Sequence, residues 1–352
     1  MFAYVGGYTT KDRDGRGDGI HVYRVDASTA AWTHVQHVAG EENPSLFTLR
    51  PDNRVLYSVH GALTHVSAFR IDPASGHLSL LNRQPSGGTN PVDAALDVTN
   101  RFLVVPNYSS GNVAVLPLAE DGALQPVSQV FELPGKPGPD PVQQSASHPH
   151  AVIFDPSRRF VIVPDKGFDC TFIFRFEDGR LALNQAMPSR PGAAPRHCIF
   201  HPSLPVLYVN NELDSTVTAY RWNDGRVEAI EVVGTLPTGH SGKNTTAEIA
   251  VAPDGRFLYV SNRGHDSVAI FAVAQDSGKL KLVGFEPTGG KRPRFFTLDP
   301  TGAYLYAANQ ESDNIVAFHV DKSSGMLSRA GQEIRVGSPS AISFVPLALR
   351  GA

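Results

Sequence analysis

Residues 194–212 read APRHCIFHPSLPVLYVNNE, with Arg196 and His197 ahead of one short apolar run and Glu212 behind the next. A guanidinium, an imidazole and a carboxylate are groups that bind anions, steady a developing oxyanion and move protons. Residues of the same kinds flank other short apolar runs: His148 and His150 in HPH, Glu248 before IAVAP, Arg263 after YVSN, Arg292 and Arg294 in KRPR, and Gln310 after YAAN. None interrupts the run it flanks. Their chemistry depends on whether the fold brings the ends of these runs together.

The runs are four to six residues long, rich in Val, Phe, Tyr and Ile, and separated by Asp-Gly and Ser-Gly turns, with 32 Gly and 27 Pro spread evenly. This pattern predicts short strands, and no stretch has the i, i+3, i+4, i+7 spacing of a helix. One unit repeats: strand, Pro-containing turn, strand, Asn, loop, strand, Ser-Gly or Asp-Gly turn, strand. It spans 247–280 and 294–327, and recurs at 196–227, 150–181 and 47–78, and at 94–124 without the turn proline. Pro156, Pro202, Pro253 and Pro300 lie 46, 51 and 47 residues apart. Four strands per roughly 45 residues is the repeat of a β-propeller blade.

A seventh blade requires joining the termini. AISFV (341–345) supplies an innermost strand, and FAYVGGY (2–8) and IHVYRV (20–25) supply a second and a third. The expected fold is therefore all-β: one domain, 1–352, a seven-bladed β-propeller of four-stranded antiparallel blades closed by pairing N- and C-terminal strands. PGKPGPDPVQQSASHP (134–149) reads as a long loop inserted on one face. Two separate β domains would need a linker near the middle, and none is evident.

In a propeller the first strand of each blade lines the channel and the second runs antiparallel to it. Starts of first strands and ends of second strands therefore share one mouth. The starts carry Asn43, Ser45, Asn90, Asp93, His148, His150, Arg196, His197, Glu248, Arg292, Arg294, Ser338 and Ser340. The ends carry Tyr8, His60, Asn107, Tyr108, Asp165, Lys166, Asn211, Glu212, Asn262, Arg263, Asn309 and Gln310. The other mouth has ordinary turn residues, among them Arg158, Arg256 and His201, for which no chemistry is expected. The recurring Asn residues read as turn formers with left-handed backbone.

Arg196, Arg263, Arg292 and Arg294 would repel one another unless they meet Glu212, Glu248 or a bound anion. GGKRPR, however, also reads as an exposed loop, which would take Arg292 outside. Glu212 and His150 form a candidate base and acid pair; the competing reading is a ring of structural salt bridges. Arginines oppose a dication at this mouth, and HPH is a single pair of histidines, so no metal is expected there and no cofactor. A phosphate loop and a G-x-S-x-G elbow are both missing.

A net charge of −3 gives no basic surface for nucleic acid or an anionic membrane, so the expected partner is a small molecule, anionic if the arginines bind it. The expected state is a monomer or weak dimer. Two cysteines, Cys170 and Cys198, fit a reducing compartment, and MFAYVGGYTT lacks the pattern of a signal peptide, so the expected location is cytoplasmic. The longest apolar runs are too short to span a membrane.

The blocks PRHCIFHPSLPVLYVNNELDSTVTAY, AEIAVAPDGRFLYVSNRGHDSVAIF and RPRFFTLDPTGAYLYAANQESDNIVAF, with the N-terminal YVGGYT, resemble the seven-bladed propeller 6-phosphogluconolactonases and the fungal 3-carboxy-cis,cis-muconate lactonising enzymes. The resemblance covers nearly the whole chain. It implies a metal-independent site at one mouth, with His150, Arg196, Glu212 and Arg263 as the catalytic set. It also implies that His197, Glu248, Arg294 and Gln310 contact substrate, with His148 as the alternative to His150. On this reading the chain is a lactone hydrolase, most simply a 6-phosphogluconolactonase: Glu212 or His150 takes a proton from water, Arg196 with His197 holds the oxyanion, and Arg294 and Arg263 hold the phosphate. A cycloisomerase acting on a muconolactone and a non-catalytic docking propeller are the alternatives.

Overall fold

Second strands of the chain are apolar without alternation, which suits strands covered on both faces. FLYVSNR (Phe257–Arg263) and VLYVNN (Val206–Asn211) are buried at every position. Outermost strands such as LSLLNRQP (Leu78–Pro85) are mostly half-exposed or exposed. Sheets built this way stack side by side and expose only their outer edges.

The computed structural model describes residues 1–26 and 28–346; residues 27 and 347–352, the last of which end the expected domain, lie outside the described residues. Seven antiparallel four-stranded sheets result. Blade one is the closing blade, ordered Pro339–Val345, Phe2–Gly7, Gly19–Val25, Trp32–Ala39. Phe2 pairs with Val345 and Val5 with Ile342, so the C-terminal strand is innermost, as expected from AISFV. Blade two begins at Pro44, blade five at Pro195, blade six at Thr245 and blade seven at Pro293. Blades three and four have innermost strands of only two residues, Ala95–Leu96 and Ile153–Phe154. There the Asp93 carboxylate accepts a hydrogen bond from the Val152 amide (2.9 Å) and so ties the two blades together. A single 3-10 turn, Lys11–Arg13, follows the first chain segment.

Neighbouring blades share a repeated strap. A tyrosine on the second strand donates its hydroxyl to a glycine carbonyl in the outer turn of the following blade. The pairs are Tyr4 to Gly76 (2.9 Å), Tyr57 to Gly122 (2.9 Å), Tyr208 to Gly278 (2.7 Å) and Tyr259 to Gly325 (3.0 Å). Gly325 has φ +73°, and a Cβ there would collide with the Phe257 ring, so the turn needs glycine on both counts. Where blade seven meets blade one, Trp32 packs against Tyr306 at 5.2 Å between ring centres.

The strand-end asparagines serve the same purpose. Asn107, Asn262 and Asn309 donate to the carbonyls of Ser86, Thr235 and Thr288. They are tertiary anchors and not the left-handed turn formers expected from sequence; none of them has positive φ. His201 accepts amide hydrogen bonds from Ser203 and Leu204 within its turn, the part that Asp155 plays for Ser157 and Arg159 in the preceding blade.

Removing the Tyr259 hydroxyl leaves the buried Gly325 carbonyl without its donor. Tyr259→Phe is expected to lower unfolding free energy by about 1–3 kcal/mol in a denaturant titration. An unchanged midpoint would mean that the strap carries no net stability.

Candidate active site

One local irregularity builds the upper mouth. Five first strands carry a β-bulge near their start. In blade five Pro195 pairs with Asn211 and His197 with Asn210, which leaves Arg196 outside the ladder. The same step leaves Ser45, Arg294 and Ser340 unpaired in blades two, seven and one. In blade six Ala247 and Glu248 together face Ser261. In blades three and four, Val92 and His150 follow prolines that each make one isolated bridge, Pro91 to Asn107 and Pro149 to Asp165. A bulge re-aims the extra side chain, here toward the axis. Ser45, Val92, His150, Arg196, Glu248, Arg294 and Ser340 all line one small cavity, with Tyr8, Leu46, His197 and Phe295.

Beside this cavity lies a buried ionic hub. Glu212 receives Lys166 Nζ at 2.9 Å, Arg263 Nη2 at 3.1 Å and Arg196 Nε at 3.2 Å. Burial alone would raise the Glu212 carboxyl, but Arg263, Lys166 and Arg196 outweigh it and hold the group well below the ordinary carboxylate range. Burial, then Arg263 and Arg294, bring the Arg196 guanidinium down to about 9, so it stays charged at neutral pH. Arg196 also donates to the Ala247 carbonyl, and Arg263 to that of Thr246. Lys166 reaches Gln143 Oε1 at 2.6 Å, which brings the 134–149 loop onto the hub.

Two imidazoles face the cavity, with ring centres 5.3 Å apart. His197 Nδ1 lies 3.0 Å from Glu248 Oε1, and its Nε2 has no hydrogen-bond partner. A carboxylate at Nδ1 fixes the proton there and leaves Nε2 as a lone-pair acceptor. His150 Nδ1 is likewise buried and unpartnered. Burial, followed by the charge of Arg196, lowers His150 well below the usual imidazole value. Burial lowers His197 too, although Glu248 opposes the shift. Both rings are neutral at pH 7.

Arg294 and Arg13 flank the buried Tyr8 ring at 5.2 and 4.4 Å. Among the described residues neither has a carboxylate within salt-bridge distance. Burial would raise the Tyr8 phenol, yet Arg294 and Arg13 bring it down to about 8. Around the mouth, Lys166, Arg196, Arg263 and Arg294 thus outnumber the carboxylates of Glu212 and Glu248 by two. A net positive, partly enclosed site suits an anion.

A proline that pairs with the second strand, Pro293 in blade seven and Pro149 in blade four, decides which expected residues meet. Arg294 follows Pro293 and lines the cavity; Arg292 precedes it, has φ +58° and pairs with Glu311 at 3.3 Å on the surface. Arg292 thus stands apart from the other three arginines, and the exposed-loop reading of GGKRPR describes it. His150 follows Pro149 into the cavity, whereas His148 precedes it, stacks on Tyr108 at 4.4 Å and bonds the Tyr108 carbonyl. Gln310 lies outside the cavity lining, and its backbone carbonyl accepts from Arg16 (2.7 Å). Glu212 and Arg263 belong to the hub, and Arg196 touches both hub and cavity. Sequence reasoning left out Arg13 and gave Lys166 no role. The position of Lys166 directly after a second strand was the available signal, and Arg13 falls in the loop after another such strand.

A much wider cavity opens at the opposite mouth, among Leu49, Asp97, Asn100, Asp155 and Arg158. The carboxylates of Asp97 and Asp155 are occupied by the amides of their own turns. It holds no comparable cluster of cations, so size alone does not mark the chemistry.

Residues 2–344 match the family model described as Lactonase, 7-bladed beta-propeller. A 6-phosphogluconolactonase of Bacillus subtilis is 38% identical over 301 residues, covering 84% of each chain. One from Formosa agariphila is 33% identical, covering 84% of this chain and 86% of that one. The solved structure of a periplasmic gluconolactonase from Pseudomonas aeruginosa superposes with a TM-score of 0.90 at 32% identity, covering 99% of both chains. With its closed ring of seven blades and its match over nearly the full length, this chain belongs to the seven-bladed β-propeller lactonase family.

Proposed function

We propose that this chain hydrolyses a phosphorylated sugar lactone, 6-phospho-glucono-1,5-lactone, at the upper mouth of the channel. The observation that carries this reading is His197, held by Glu248 with a free Nε2, beside the cationic cavity wall of Arg196 and Arg294. The 6-phosphogluconolactonases among the relatives support the choice of substrate. The enzymes named among these relatives are lactonases and not cycloisomerases.

Hydrolysis adds water to the lactone carbonyl, places negative charge on its oxygen, and then breaks the bond to the ring oxygen. Glu212 is a poor base, because three cations stabilise its charged form. His197 Nε2 takes the proton from water, and Glu248 stabilises the imidazolium that forms. Arg196 stabilises the oxyanion. The proton returns to the ring oxygen as the ring opens, with His150 placed to pass it on. Arg294 and Arg13 hold the phosphate, leaving Glu212 to fix the positions of Arg196, Arg263 and Lys166. We place the protein in a reducing cytoplasm, consistent with two buried, unpaired cysteines. Among the described residues no helix is long and apolar enough to cross a membrane.

The two roles separate experimentally. His197→Gln is expected to lower kcat by roughly 10²–10⁴-fold with little change in melting temperature. Glu212→Gln is expected to cost about 3–5 kcal/mol of stability, because it strands buried cations. A fully stable but inactive Glu212→Gln, alongside an active His197→Gln, would move the base to Glu212. Arg294→Ala is expected to raise KM for the phosphorylated lactone roughly tenfold or more, and to change KM for glucono-1,5-lactone far less; equal effects would remove Arg294 from phosphate binding.

Because His197 must be neutral to act and its folded pKa lies below 6.5, kcat/KM should hold as pH falls through 6.5 and drop only below it. The depressed pKa values of His150 and His197 have a linked effect on folding. The unfolded chain binds protons first, so stability is full above pH 6.5 and declines as pH falls toward the folded values. A kcat/KM acid limb centred above 6.5, from stopped-time assays across pH, would contradict this.

A further inference from the structure

A second cluster of polar side chains lies outside the channel, on the two outer strands of the closing blade. His21 pairs directly with His37 across these strands, and Tyr23 with His34. Residues 34 and 37 of a regular strand would point to opposite faces. A bulge after Val22 inserts Val35 and reverses the alternation, so His21, His34 and His37 share one face. His21 and His37 stack with ring centres 4.6 Å apart and planes 3° from parallel. Asp18, just ahead of the third strand, reaches into the group: its Oδ1 is 2.7 Å from His21 Nε2, and its Oδ2 is 3.5 Å from His37 Nε2.

We propose that Asp18, His21 and His37 form a surface site for a divalent transition-metal ion of the zinc type, with His34 orienting His21. One ligand atom from each of the three lies within 4.8 Å of the others. Ligand atoms around tetrahedral zinc, bonded at about 2.0–2.1 Å, are about 3.3 Å apart, so the two stacked rings must turn toward one another to bring the three into place. Two imidazoles and a carboxylate are a zinc donor set, with a fourth position left for water. His34 Nε2 lies 3.1 Å from His21 Nδ1. With metal on Nε2, His21 carries its proton on Nδ1 and donates it to His34, the outer contact that fixes a ligating histidine. Arg16, the nearest cation in sequence, is engaged with Asp313 at 2.7 Å and leaves Asp18 free for the ion. Metal binding would cross-link the third and fourth strands of the blade that closes the ring.

The test uses the full chain without a histidine tag. Calorimetric titration with zinc chloride should show one site, and zinc should raise the melting temperature, since the unfolded chain lacks the assembled site. The Asp18→Ala/His37→Ala double variant should retain the wild-type circular dichroism spectrum but lose both the binding heat and the melting shift. His34→Ala should retain the site with affinity reduced about 10–100-fold. A wild-type chain that takes up no zinc, or a folded double variant that binds it as tightly as wild type, overturns the proposal. Unchanged affinity in His34→Ala removes the orienting role of that residue.

Discussion

The structure of the channel mouth depends on one extra residue near the start of a strand. Main-chain pairing in a blade dictates that successive side chains alternate between faces. A strictly regular first strand would direct Arg196 and Arg294 into the sheet packing, where an unpaired guanidinium is prohibitively costly. The bulge takes these residues out of the ladder while their neighbours keep register, as with His197 opposite Asn210 and Phe295 opposite Ala308. Blade packing and a charged cavity thus coexist within a single strand.

Clustered charges of one sign then have to be stabilised, and Glu212 does this. Four basic side chains in a buried setting would lose protons or swing outward without a counter-charge. A single carboxylate touching three of them keeps them charged and aimed, while leaving the mouth positive overall. This arrangement explains why the most central acid is the least suited to proton transfer. The group that can accept a proton is the imidazole whose tautomer is fixed by a different carboxylate, Glu248.

The blades were legible because each repeats turn residues that obey local rules, and because AISFV and FAYVGGY each lack strands that the other supplies. The gathering of cations at one mouth was legible because antiparallel strands bring their ends together. What stayed hidden was the side each residue faces. Arg292 and Arg294, or His148 and His150, are equivalent in composition and differ only in standing before or after a proline. That distinction becomes visible once the proline is recognised as the last paired residue before a bulge. The role of Glu212 was hidden for another reason: proton affinity depends on how many cations surround a carboxylate, which spacing along a chain does not encode. The His21, His34 and His37 cluster was hidden because its odd spacing suggests opposite faces.

The seven positions after the first-strand prolines, or their equivalent in blade six, each belong to a different blade and turn a side chain into the same cavity. Substitution at one of them alters the cavity wall and leaves the backbone register of the blades in place. The fold therefore keeps shape and chemistry under separate control. Descendants of such a chain can change what they act on through single codons, one blade at a time, while the ring they inherit stays the same.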